Sequence, residues 1–319
     1  MRPHKASAPR LLVTHRETAL ILERAKVHVD GGRVVYHAAD DDLVRRFNIP
    51  HSNLAILFLG QGCSLTQEAA RLLAEESVYV AFTGTGGSPL HMGSLTTYQG
   101  TAHFRRMLTA YLDPQLSLEA ARQIMMARFT MMETVGADGF ETLCGLRRID
   151  PILNLCKTAR RTVSAASDIP SLLGHEGDYA RGIYRVAAQA VGLSGFNRTP
   201  GADGGNVSAA ADLVNSLIDH GNYLAYGIAG AALWALGIPP HLPVFHGKTR
   251  PGGLVFDLAD SFKDAVVLPL AFAAGTGRLG PDSESVFRAR MIDAIEKHGL
   301  LANCIKTVEN MLPAERAGS

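Results

Sequence analysis

The sequence predicts an α+β protein, with a small N-terminal β domain followed by a larger all-α domain. Three observations support this. The chain has 319 residues, and a single hydrophobic core rarely grows beyond ~250–300 residues, so two domains are the default. The first ninety residues carry short segments rich in Val, Ile, Leu and aromatics, the composition of half-buried strands. From residue 102 onward the apolar residues recur at helical spacing. The boundaries drawn are 1–90 for the β domain, 91–101 for a linker and 102–319 for the helical domain.

In chain order, LLVTH (11–15), TALILE (18–23), KVHVDGGRVVYH (26–37) and NLAILFLG (53–60) read as strands. Asp30-Gly31-Gly32 marks a hairpin between the halves of the third. Residues 64–76 read as a helix capped by Ser64, with Gln67 three residues later. VYVAF (78–82) is the next strand and ends in GTGGSP; the polar, glycine-containing SPLHMGSLTTYQGT (88–101) reads as the link between domains. Helices are expected at 103–112, 117–136 and 150–166, the last with Asp150 as cap before Pro151. More are expected at 170–191, 206–219, 222–237, 257–268 and 284–298, with a flexible loop at 196–206.

The bulk numbers exclude several classes. With 47% hydrophobic and 19% charged residues the chain is no disordered polyelectrolyte. A net charge of +1 confines any nucleic-acid site to a local patch. The uncharged stretch 221–239 is near the length of a membrane span, but its glycines and alanines read as a close-packed buried helix. Cys63, Cys144, Cys156 and Cys304 form no CxxC pair, which leaves a zinc knuckle unsupported and suggests a reducing cytoplasm. VYVAFTGTGG mimics a phosphate loop, but Ser88-Pro89 cannot open the helix that a dinucleotide site requires. The methionines at 125, 126, 131 and 132 read as core filler.

The informative stretch is HGKTRPGGLVFDLADSFKD (246–264). His246 and the cations Lys248 and Arg250 precede Gly252-Gly253. Asp257 and Asp260 then lie three apart on one helical face, and Asp264 continues the stripe. Leu258, Phe262 and Ala265 form the adjacent apolar stripe, which places the aspartates beside the core. Aspartates at a helix start also serve as caps and dipole partners, so both readings stand. A second feature is GHEG (174–177) inside a helix, where each glycine costs roughly 1 kcal/mol. Two of them around Glu176 imply a close approach to the backbone. Glu176 aligns with Ala180, Ile183 and Ala187, so its carboxylate needs a partner, either an arginine or a metal. One Glu, one His and one or two Asp form an oxygen-rich set suited to Mg²⁺ or Mn²⁺, with positions left open for phosphate oxygens. Lys248 and Arg250 would neutralise a phosphate backbone. Residues 100–161 hold nine basic against six acidic residues, too small an excess to define a further DNA contact.

GHEGDYARGIY, HGNYLAYGIAGAALWALGIP and above all HGKTRPGGLVFDLADSFKDAVVLP resemble the CRISPR-associated adaptation integrase, the first of the numbered Cas proteins, in a form most similar to the type I-F branch. The resemblance is specific over 170–275 and looser over 49–87. It implies an N-terminal β domain that forms homodimers and a helical catalytic domain. Its implied metal ligands are Glu176, His246 and Asp260, with Asp257 as a further acidic member of the catalytic set. It also implies action on double-stranded and branched DNA by transesterification. Two dimers flank the second Cas protein, which in the I-F branch is fused to the interference helicase-nuclease. This chain departs from the family in having Ser88-Pro89 where basic residues often follow the glycine-rich turn. Two other readings use the same residues: a metal-dependent phosphohydrolase of small phosphate esters, and a non-catalytic DNA-binding scaffold in which the acids are structural pairs.

Overall fold

The computed structural model describes residues 17–40, 43–83, 90–92, 100–200, 208–247 and 252–314. It divides into two compact units, one up to Tyr98 and one from Gln99 onward. The first is built on β-sheet and the second is helical throughout its described residues.

The first unit contains β1 (Glu17–Leu22), β2 (Ala25–Asp30), β3 (Arg33–Asp40), β4 (Leu43–Asn48), β5 (Leu54–Leu59), β6 (Ser64–Leu65), α1 (Gln67–Glu75), β7 (Tyr79–Phe82) and β8 (Leu90–Met92). One sheet has the order β1-β5-β7-β8, parallel except for β8; the other has the order β4-β3-β2-β6. Asp30 pairs with Arg33 across the β2–β3 hairpin. Gly31 and Gly32 both take positive φ, 57° and 75°, as a two-residue turn matched to strand twist requires. All six residues of β5, LAILFL, are buried, the pattern of a strand paired in parallel on both edges. Leu54, Leu57 and Leu59 meet Leu22, Val27, Val34, Leu73 and Val80 in one core.

Two expectations for this unit need correction. The cap of α1 is Thr66, whose hydroxyl accepts from the Ala69 N–H at 3.3 Å. Ser64 is unavailable because it pairs with Lys26 in β6. The stretch expected to be linker contains β8, which pairs antiparallel with β7 (Val80 opposite Met92); this short edge strand carries too few apolar residues to signal itself. The strand expected at 11–15 and the turn at 84–87 lie outside the described residues.

The second unit comprises α2 (Ala102–Leu112), α3 (Pro114–Met131), α4 (Ala137–Cys144), α5 (Asp150–Ala165), α6 (Ile169–Val191), α7 (Ala209–Ala235), α8 (Gly253–Ala259), α9 (Lys263–Gly275), α10 (Ser283–Lys297) and α11 (Leu300–Met311); a π turn, Met132–Gly136, joins α3 to α4. Helix α9 is the hub. Apart from Lys263, every residue in KDAVVLPLAFAAG is buried, and a helix apolar all round must be surrounded. Helices α3, α4, α6, α7 and α10 and the π turn contact it.

Helix α7 runs unbroken where two helices, 206–219 and 222–237, were expected. Gly221 does not end it. A Cβ there would lie 2.5 Å from Val267 Cγ1, so the glycine is the point where α7 closes on α9, and that packing offsets its low helix propensity. No described helix is long and apolar enough to cross a membrane. The helix expected over 257–268 is broken instead. Helix α8 stops at Ala259, the Ser261 hydroxyl donates to Leu258 O at 2.7 Å, and α9 restarts at Lys263. A hydroxyl competing for a helix carbonyl is a common cause of such an end. Leu258, Phe262 and Ala265 are nevertheless all buried. Asp150 is the first residue of α5 and Ile149 is its cap; the Asp150 carboxylate accepts from Arg148 Nε at 3.0 Å instead. Helices α4 and α11 lie outside the expected set.

Candidate active site

Helices α3, α6, α8 and the start of α9 bring their charged side chains together. The local architecture starts with the Gly252-Gly253 pair. Gly252 is left-handed, with φ 70°, and a Cβ on Gly253 would lie 2.8 Å from Pro243 Cβ. Glycine therefore allows the 243–247 segment to fold against the start of α8. That puts three consecutive backbone N–H groups over Asp257. Val244 and Phe245 donate to its Oδ2 at 2.8 and 2.9 Å, and His246 donates to Oδ1 at 2.9 Å.

The His246 ring completes the arrangement, its Nδ1 lying 2.8 Å from Asp257 Oδ1. A carboxylate only accepts, so Nδ1 carries the proton and the neutral ring keeps its lone pair on Nε2. Asp257 is fully buried and, among the described residues, its hydrogen bonds go to this loop. Its side chain thus orients His246, as a carboxylate bonded to the far ring nitrogen of a metal-ligating histidine does. Burial works against charge on His246, but the Asp257 hydrogen bond and the Asp260 and Asp257 charges outweigh it and hold its pKa above the usual value.

Asp260, the C-cap of α8, is 2% exposed. Its Oδ2 lies 3.6 Å from His246 Nε2 and 4.0 Å from Arg128 Nη1, and its Oδ1 is ion-paired with Lys263. Burial would raise its pKa, yet Lys263, Arg128 and His246 hold it below the usual carboxylate value. Glu176 stands on α6, a helix fixed at its start by an Asp168–Ser171 capping box and at its end by left-handed Gly192. Its side chain is 18% exposed, and Oε1 accepts from Arg128 Nη1 at 2.8 Å.

Arg128 therefore links the two halves of the site. It is 3% exposed on α3. Its Nε and Nη2 donate to Asp264 Oδ2 at 2.8 and 2.5 Å, while its guanidinium lies 5.1 Å from the Tyr179 ring centre. Burial disfavours its charge, but Asp264, Asp260 and Glu176 outweigh that, so it stays cationic.

The partner of Glu176 is thus Arg128, not the Arg181 or Arg185 that its own helix offers; Arg181 pairs with Asp178. Nor does the chain approach Gly174: a Cβ there would meet nothing within 4 Å, and at Gly177 only the Arg181 guanidinium comes as near as 3.4 Å. Of the residues singled out from sequence, His246, Asp257 and Asp260 form one contiguous group, and Glu176 joins it through Arg128. As the side chains stand, no three His, Cys, Asp or Glu among the described residues converge closely enough to hold a metal ion. Lys248 and Arg250 lie outside the described residues. Arg128 and Lys263 belong to the cluster and are not among the site residues expected from sequence. The signal for Arg128 was its place in an apolar stripe, four residues before Met132, three after Met125 and seven after Ala121, all buried.

The donor set nevertheless fits a hard divalent cation. Nε2 of His246 and Oδ2 of Asp260 face each other, and Glu176 reaches the same cluster. Four carboxylates (Glu176, Asp257, Asp260, Asp264) face two permanent cations (Arg128, Lys263). With His246 neutral, two formal negative charges remain uncompensated among the described residues, which is the charge that one Mg²⁺ or Mn²⁺ supplies.

The chain is similar to known proteins over most of its length. The CRISPR-associated endonuclease Cas1 of Pseudomonas aeruginosa (strain UCBPP-PA14) is 33% identical over 314 residues, 94% of this chain and 94% of the relative. Its namesake from Pectobacterium atrosepticum is 32% identical over 326 residues, with the same coverage of both. The crystal structure of a TtCas1–DNA complex matches with a TM-score of 0.69 at 24% identity, covering 94% of this chain and 93% of that one. It shares the fold, strands first and helices after. These relatives favour neither the small-ester phosphohydrolase nor the scaffold. A family model described as CRISPR associated protein Cas1 matches residues 19–279, and the chain belongs to that family.

Proposed function

We propose that this protein is an endonuclease and integrase of CRISPR adaptation. It inserts spacer DNA into a CRISPR array by transesterification, using one Mg²⁺ or Mn²⁺ held by Glu176, His246 and Asp260. The observation that carries the reading is the buried cluster, with two unbalanced negative charges among the described residues, beside a histidine whose Nε2 is aimed at Asp260. Chains named as endonucleases and similar over 94% of their length support the reaction class.

In this reading a 3′-hydroxyl oxygen of the spacer precursor forms a bond to phosphorus at the edge of a repeat. The bond from that phosphorus to the array's 3′-oxygen breaks, the attacking hydroxyl releases its proton and the leaving oxygen gains one. The cation, when bound, polarises the phosphoryl oxygen and stabilises the leaving oxygen. The protein's residues prepare the site for this. Asp257 fixes the His246 tautomer, Lys263 neutralises part of Asp260, and the cluster opens to solvent at His246 and Glu176, where a phosphodiester can enter. Lys248 and Arg250 are assigned to the DNA backbone. Residues 1–90 are assigned to a homodimer interface, and the second Cas protein, fused in the I-F branch to the interference helicase-nuclease, is the partner between two such dimers. The work is done in the cytoplasm.

The test uses a branched DNA that mimics a half-integrated spacer, with Mg²⁺, Mn²⁺ or EDTA. Wild type is expected to cut or rejoin it only with metal, and folded His246→Ala and Glu176→Gln variants are expected to be inactive. Equal activity in EDTA or in either variant would remove the assignment.

A further inference from the structure

The cation site and the Arg128 guanidinium compete for one carboxylate. Glu176 is a proposed metal ligand, yet its Oε1 is hydrogen-bonded to Arg128 Nη1 at 2.8 Å. The same nitrogen lies 4.0 Å from Asp260 Oδ2, so it sits between the two acidic ligands. Arg128 is not free to swing away as a whole. Its Nε and Nη2 are both committed to Asp264, and its guanidinium lies near the Tyr179 ring. The planar fork thus has one fixed side and one side that can be released, a geometry that lysine cannot reproduce.

We propose that Arg128 is the resident counter-ion of the metal-free site, remaining fixed on Asp264 while it yields Glu176 to the divalent cation. The inference rests on the metal-site reading above. Its logic is electrostatic. Even a partly buried carboxylate without a partner is costly, so Arg128 keeps Glu176 folded inward before the cation arrives. Once the cation is bound, Arg128 still balances Asp264, and the described residues of the cluster reach formal neutrality with one divalent ion. The cost is affinity, because the cation must displace a charge-assisted hydrogen bond. Arg128 is on this account a positioning residue that sets how tightly the site binds metal.

The experiment is Mn²⁺ titration calorimetry on wild type, Arg128→Met and Arg128→Lys, together with thermal unfolding in EDTA and in Mn²⁺. Both variants are expected to unfold at lower temperature than wild type in EDTA and to gain more stability from Mn²⁺. Arg128→Met is expected to bind Mn²⁺ roughly tenfold tighter, the value of one charge-assisted hydrogen bond. Arg128→Lys separates this competition from simple charge. It keeps the charge but reaches one carboxylate instead of two, so it should also bind more tightly than wild type. Wild-type affinity in Arg128→Lys would reduce the effect to net charge and overturn the proposal, as would unchanged or weaker binding in folded Arg128→Met. If neither wild type nor the variants bind Mn²⁺, the metal-site reading itself fails and the inference falls with it.

Discussion

Strand β5 and helix α9 each run through the middle of their unit, and both bury almost every side chain they carry. Around β5 the core is aliphatic, Leu54, Leu57 and Leu59 packed with Leu22, Val27, Leu73 and Val80. Around α9 it is not. The helix opens with Lys263 and Asp264, and beside them lie Arg128, Asp257 and Asp260, four of these five residues at most 4% exposed. An aliphatic core stabilises through burial alone. A charged seam must first recover the cost of desolvating each ion, and well-packed apolar residues would often serve stability as well or better. The second unit therefore carries a costly arrangement that the first has no use for, and the difference separates a centre built for chemistry from one built for cohesion.

The comparison breaks most readily at Asp264. Asp264→Ala would strip both fixed bonds from buried Arg128 and leave its guanidinium under-compensated. Such losses cost about 3–5 kcal/mol. Differential scanning calorimetry should show a large fall in the unfolding temperature, on the transition of the helical unit. An unshifted midpoint would mean that Arg128 finds other partners and that the seam is less tightly coupled than its distances suggest. The counterpart in the β unit is Leu57→Ala, fully buried on the central strand, with an expected cost of about 2–5 kcal/mol. Its effect should fall on the other unit, leaving the Mn²⁺ titration of the helical unit as in wild type. Altered metal binding in Leu57→Ala would show that the two centres are not independent.

How much of this was legible in the sequence depends on how far apart the partners lie. The β2–β3 turn was legible because Asp30-Gly31-Gly32 carries its own conformational demand. His246, Asp257 and Asp260 were legible as a group because one loop and one short helix hold them all, and local geometry follows from local sequence. The position of Arg128 was not. It reaches across 48 residues to Glu176 and 136 to Asp264, and no spacing rule spans such distances. What the sequence did contain was a cation on the buried stripe of α3, masked by the methionines around it; Met125 Sδ lies 3.9 Å from Arg128 Nη1. The break between α8 and α9 was hidden for another reason. Leu258, Phe262 and Ala265 keep helical spacing and are buried on both sides of it, so the apolar pattern is blind to the interruption. Gly221 misled in the opposite direction, since a glycine chosen for close packing is indistinguishable by letter from one that ends a helix.

The smallest expected change in stability, and the sharpest in function, is Asp257→Asn. The amide keeps an oxygen for Val244 and Phe245 but turns an NH₂ group toward the His246 N–H and Nδ1. Donor would then face donor. The ring relieves this by moving its proton to Nε2, which directs a hydrogen at Asp260 and removes the lone pair that a cation needs. The stability cost should be about 1–3 kcal/mol, because a buried charge is lost together with the bonds it accepted. Metal affinity and DNA cutting should each fall about 10–100-fold, as when a carboxylate supporting a metal-bound histidine is removed. The measurement is Mn²⁺ affinity beside cleavage of the branched substrate, with folding checked by circular dichroism. A variant that lost stability but retained both would make Asp257 a loop clasp only, and the seam would then owe its function to Glu176, His246 and Asp260 without it. A variant that lost both while staying folded would show that the three backbone bonds and the imidazole bond of this one carboxylate form a single device, in which the fold of the 243–247 loop is the means by which His246 is aimed.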